Sequence, residues 1–155
     1  AARGNLSLEV GLRSDVAPVN VLVEAALAAG GDAITAMKDP TRGGLASALH
    51  ELAGKARLGI LVDEAAVPIA PDVRAVGELL GIDPLRVANE GKVVLGVRAD
   101  RADAVLAALR AHPLGAQAAI VGTAIADSPR KVVLDTGFGR RLLIEPDGEP
   151  LPRIC

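Results

Sequence analysis

Apolar residues recur along the chain at two spacings, near 3.6 and near 2, and the switches between them mark the elements. Leu6 to Leu12 reads as a short strand. "SDVAP" follows with helix-start chemistry: Ser14 or Asp15 can cap, and Pro18 suits a first turn. The spacing predicts a helix over Val19 to Ala29, ended by Gly30 and Gly31. "DAITAM" is a short buried strand that runs into "DPTRGG", after which Leu45, Ala48, Leu49 and Leu52 fall on one helical face. "LGILV" at 58 to 62 is again strand-like. A loop with Pro68 and Pro71 precedes a helix carrying Val73, Val76, Gly77 and Leu80, stopped at Gly81. "VANEGK" introduces the strand Val93 to Val97. Asp100 is placed to cap a helix with Ala102, Val105, Leu106 and Leu109 on one side, closed by His112 and Pro113. The last third holds the strand-like runs "AAIVGTAI", "KVVLD" and "RRLLIE".

Helices alternating with strands predict an α/β (α+β) fold, a mixed sheet covered by helices. The apolar periodicity stops near Pro146. Residues 1–145 are therefore expected to form the domain, and 146–155, "PDGEPLPRIC", an extended C-terminal tail. The opening "AARGN", which begins with Ala, reads as the end of an earlier element and suggests a piece of a longer protein.

Composition narrows the function classes. Seventeen basic residues against nineteen acidic leave a net charge of -2, and Phe138 is the only aromatic residue. A nucleic-acid surface needs phosphate-neutralising charge and stacking platforms, so that class is set aside. The most apolar stretch, Val19 to Gly31, is interrupted by Asn20 and Glu24 and is too short to span a bilayer. One cysteine forms no internal disulfide, which suits a reducing cytoplasm.

Three places could carry chemistry. In "KDPTRGGLASALHELA", Asp39 as cap with Pro40 behind it would start a helix whose first turn holds Gly43 and Gly44. Each glycine costs about 1 kcal/mol against Ala there, which suggests a need for bare backbone. Helix-start N–H groups beside Arg42 form an anion site; close helix packing explains the same residues equally well. In "VANEGK", Glu90 at a strand mouth is placed to accept a proton, and partial burial there would raise its pKa. The plainer alternative is a solvated Glu90 or one paired with Lys92. The third place is Cys155, the last residue: an exposed thiol open to oxidation, with Arg153 nearby. His50 and His112 have no ligand spacing and read as solvated, so no metal site is expected. Gly137 and Gly139 around Phe138 read as a turn.

"MKDPTRGGLASALHELA", "VANEGK" and the terminal "PRIC", together with "SDVAPVNVLVEAAL" and "LRAHPLG", resemble the C-terminal half of the HypE family of carbamoyl dehydratases, which serve [NiFe]-hydrogenase maturation. That family is similar in turn to the ATP-using aminoimidazole ribonucleotide synthetases and selenophosphate synthetases. The resemblance covers essentially the whole chain and implies the C-terminal domain of the aminoimidazole ribonucleotide synthetase-like fold. An N-terminal half that binds ATP and Mg2+ and makes the homodimer would be absent, so no cofactor is expected tightly bound here and this piece alone should be inactive. The resemblance also implies that HypF loads a carbamoyl group onto Cys155 and that ATP activates it. A thiocyanate forms, and its cyano group passes to iron on a HypC–HypD complex. Cys155 would be the carrier and Glu90 the carboxylate at the carboxamide. Asp39, Thr41, Arg42, Gly43 and Gly44 would face the ATP phosphates. Two other readings stay open: half of another synthetase of the superfamily, and a non-catalytic interaction domain with a docking tail.

Overall fold

The computed structural model describes residues 13–146. The predicted strand at Leu6 to Leu12 and the tail from 147 onward, with Cys155, lie outside the described residues. Among the described residues four α-helices alternate with strands until three strands close the order: α1 Asn20–Gly30, β1 Ile34–Lys38, α2 Gly44–Ala56, β2 Gly59–Asp63, α3 Pro71–Leu80, β3 Val94–Val97, α4 Ala99–Arg110, β4 Gly122–Ile125, β5 Val132–Asp135 and β6 Arg140–Leu142. The elements follow the apolar spacing closely. The strands divide into two sheets rather than one: a ribbon of β1 and β3, and a four-stranded sheet in the order β4-β2-β5-β6. In the larger sheet β2 and β5 run parallel while β2–β4 and β5–β6 are antiparallel, so the mixed sheet is present.

Ala46, Leu49 and Ala53, at spacings of three and four, turn one face of α2 into the core beside Val62, Val132, Leu134 and Leu143. Val132 and Leu134 are fully buried and alternate with half-buried Val133 and Asp135, the period of a strand covered on one face. Apolar burial of this kind contributes about 1.5–3 kcal/mol per large side chain. Helices α1 and α4 pack on each other, closely enough that a Cβ on Gly30 would meet Val105 and Ile34.

Three expected caps are not formed, and in each case the side chain is taken elsewhere. The N-cap of α1 is Val19, while Ser14 accepts from the Val16 N–H (3.3 Å) and Asp15 reaches a distant loop. Asp100 lies inside the first turn of α4 and pairs with Arg98 (3.3 Å). Asp39 does not cap α2, which starts at Gly44 behind Gly43. Nor are β1 and β3 the buried strands their composition suggests; as a two-stranded ribbon both remain half-exposed.

Candidate functional site

Antiparallel pairing of β1 with β3 places Lys38 opposite Val94. The segment leaving β1 (39–43) and the segment entering β3 (87–93) therefore meet at one end of the ribbon. The Asn89 N–H donates to the Pro40 carbonyl (3.0 Å) and ties the two together. Two of the three stretches singled out in the sequence, 50 residues apart, thus form one surface.

On the first segment, the Thr41 hydroxyl donates to Asp39 Oδ2 (2.7 Å) and Lys38 lies 3.7 Å from Asp39 and 3.4 Å from Glu51. The Thr41 hydroxyl above all, then backbone N–H at Asp39 and the Lys38 charge, hold the Asp39 carboxyl below its ordinary range. Gly43 and Gly44 follow at φ 62 and 61, a left-handed turn that only glycine enters without strain. A Cβ at Gly44 would collide with the carbonyls of Leu85 and Val87, and one at Gly43 with the Ser47 side chain and Pro146. Of the two explanations of the glycine pair, the close packing is present. No side chain caps α2, and its first ladder bond is Ser47 N–H to Gly43 O (3.2 Å). The N–H groups of Gly44, Leu45 and Ala46 precede that bond, next to exposed Arg42. Such an end favours an anion.

On the second segment, Asn89 bends back so that its Nδ2 donates to the Val87 carbonyl (2.6 Å). Lys92 donates to Asn89 Oδ1 (2.7 Å) and to Asp15 Oδ2 (3.0 Å). The same Asp15 oxygen accepts from the Glu90 backbone N–H (3.2 Å), and Gly91 lies so close to the Asp15 backbone that a Cβ would not fit. Burial, the largest influence on Asp15, pushes its pKa up, but the Lys92 hydrogen bond and charge with the Glu90 N–H outweigh it, and the carboxyl sits below its ordinary value. Glu90 is exposed, so the partial burial expected at the strand mouth is not supplied by the described residues. Nor does it pair with Lys92. Its backbone is held by Asp15 while its side chain is exposed.

The last described residues arrive at the same place. Leu143 is buried, its N–H donates to Val132 O (2.9 Å), and its carbonyl accepts from His50 Nε2 (2.6 Å). Three residues on, Pro146 lies against Gly43. His50 is thus half-buried and bonded, not solvated as its position suggested. His112 Nδ1 accepts from the Leu114 N–H (3.2 Å). The Gly137–Gly139 turn is present and carries a fully exposed Phe138. Among the described residues no group of three or more His, Cys, Asp or Glu side chains could hold a metal ion, and no helix is long and apolar enough to cross a membrane.

Asp15, Asn89 and His50 were not identified from the sequence as part of this region, and Lys92 was considered there only as a partner for Glu90. Asn89 and Lys92 flank Glu90 in "VANEGK", which is the one signal that could have pointed to them. Asp15 sits where a helix cap belongs, and its true partners are 75 and 77 residues away.

Comparison with known proteins identifies what the fold is similar to. Residues 2–135 match the model of the AIR synthase related protein, C-terminal domain. The carbamoyl dehydratases HypE of Rhizobium leguminosarum bv. viciae and Bradyrhizobium diazoefficiens are 49% and 50% identical to the chain over 154 residues, 99% of it. The chain spans 44% of each of those relatives. A chain of the crystal structure of a HypE–HypF complex superposes with a TM-score of 0.85 at 37% identity, over 91% of this chain and 46% of that one. HypE in complex with ATP gives 0.81 at 40% identity, over 88% and 43%. The fold, the matched residues and the identity along its whole length place the chain in the family of AIR synthase related protein C-terminal domains, alongside the HypE proteins.

Proposed function

We propose that the chain is the C-terminal domain of an ATP-dependent carbamoyl dehydratase that makes a thiocyanate on its own terminal cysteine. The observation that supports this most is the meeting of three segments at one end of the β1–β3 ribbon: the glycine turn opening α2, the Glu90 loop, and Pro146. Cys155 is the ninth residue after Pro146, a reach of at most about 30 Å. The thiol can therefore return to the Glu90 loop and also travel to a partner.

In this reading Cys155 receives a carbamoyl group and becomes an S-carboxamide. Its oxygen attacks the γ-phosphorus of ATP, ADP leaves, and one N–H proton is lost to give an S-linked imidate O-phosphate. Breaking the C–O bond with loss of the second N–H proton releases phosphate and leaves S–C≡N. Glu90 takes a proton from the nitrogen, a role open to an exposed carboxylate whose backbone is fixed by Asp15. The uncapped start of α2 and Arg42, with Asp39 and Thr41 shaping the turn, face the phosphates that become more negative as ADP departs. Sulfur suits the carrier role because a thiolate is a good nucleophile toward the carbamoyl donor and thiocyanate can release cyanide.

ATP and its Mg2+ are assigned mainly to the remaining half of the enzyme, as is the homodimer contact. HypF is the carbamoyl donor in this reading, and the cyanide goes to [NiFe]-hydrogenase iron on HypC–HypD in the cytoplasm, where the thiol stays reduced. The test is Glu90→Gln in the full-length enzyme with HypF, carbamoyl phosphate and ATP. Loading of the carboxamide should be unchanged while dehydration slows by about 10²–10⁴-fold, the usual share of a general base. Dehydration at the wild-type rate would remove Glu90 from the mechanism.

A further inference from the structure

We propose that His50 is a positioning residue that fixes where the carrier tail leaves the domain. The inference rests on the dehydratase reading and adds to it the element that aims the tail. Leu143 is anchored twice, through its N–H to Val132 O (2.9 Å) and through its carbonyl to His50 Nε2 (2.6 Å). A carbonyl only accepts, so the ring carries its proton on Nε2. From that clasp the chain runs back along α2 toward the helix start. His50 to Gly43 is seven residues of helix, about 10 Å, and Leu143 to Pro146 is three residues of extended chain, also about 10 Å. The two lengths match, and Pro146 comes to rest against Gly43 and the glycine turn.

His50 thus sets the register between tail and helix. Without it, Ile144 and Glu145, both exposed, have no described side chain holding them, and the tether can start from a wider range of points. For a group delivered by a tether, a less defined origin lowers its effective concentration at the site. HypF loading, which the tail meets away from the site, does not depend on that origin.

The experiment uses the full-length enzyme with His50→Ala and His50→Gln, following by intact mass both HypF-dependent carbamoylation of Cys155 and its ATP-dependent dehydration. In His50→Ala, dehydration should fall about tenfold, with loading and the KM for ATP unchanged. His50→Gln, whose amide can still donate to the Leu143 carbonyl, should recover most of the loss. A His50→Ala enzyme that dehydrates at the wild-type rate overturns the inference. So does a parallel loss of loading, or a glutamine that fails to rescue: either marks a general effect on folding. A wild-type enzyme that is loaded but never dehydrated overturns the dehydratase reading itself, and that result is visible before any His50 variant is compared.

Discussion

Lys92 reaches Asp15 and Asn89 rather than Glu90, and that choice leaves the Glu90 carboxylate available. Asp15 is the hinge of the arrangement, since one of its oxygens accepts both the Lys92 ammonium and the Glu90 backbone N–H. Its depressed pKa gives a pH signature whose sign is fixed. A carboxylate with a folded pKa below the unfolded value of 3.8 stabilises the fold above that value, and the contribution is lost as pH falls through the folded pKa. Asp15→Asn should therefore unfold at lower denaturant than wild type at neutral pH, by about 1 kcal/mol. The gap should close as the pH is taken well below 3.8. Urea titrations at neutral and acid pH test this; a gap of constant size would show that the charge of Asp15 is not what holds the loop. The sequence marked Glu90 through its place at a strand mouth, but it could not mark Asp15. A carboxylate before a helix satisfies every local rule for a cap, and only the tertiary fold shows that a lysine 77 residues on has taken it.

At the scale of elements, the start of α2 is decided by packing more than by capping. Asp39 and Pro40 make a good local helix signal, yet the Pro40 carbonyl is engaged by Asn89 and Asp39 by Thr41, so the helix waits for the glycine pair. Gly44 has two reasons to be glycine: a φ of 61 and the carbonyls of Leu85 and Val87 where a Cβ would go. Gly44→Ala should cost at least about 2 kcal/mol, combining left-handed strain with the displaced carbonyls. Thermal unfolding measures it, and an alanine that is neutral there would mean the close approach is not tight. The helices and strands themselves were legible because each keeps one period over enough residues. The buried face of α2 was not: Leu45, Ala48, Leu49 and Leu52 were expected on it, whereas Ala46, Leu49 and Ala53 enter the core and Leu45 and Leu52 are half-buried. What periodicity could not give was the partition into two sheets. Strand pairing depends on contacts distant in sequence, and β1 joining β3 rather than β2 leaves no local trace.

Across the whole molecule, the described residues form a scaffold that gathers a glycine turn, a fixed carboxylate loop and the root of the tail on one surface. The chain covers 44% of the Rhizobium and Bradyrhizobium HypE proteins, and under the proposed function this surface is one wall of the site. Of that surface the sequence singled out the two internal motifs; it did not single out His50, whose partner lies 93 residues away on a strand exit. Under the proposed function Cys155 carries the group that the domain transforms. Intact mass of the full-length enzyme with HypF, carbamoyl phosphate and ATP, beside its Cys155→Ala variant, tests it most directly. The expected result is a carboxamide-sized gain in the wild type, followed by loss of the mass of one water when ATP is supplied, and neither change in Cys155→Ala. Thiocyanate formed by Cys155→Ala, or a wild-type cysteine that is never modified, would contradict it.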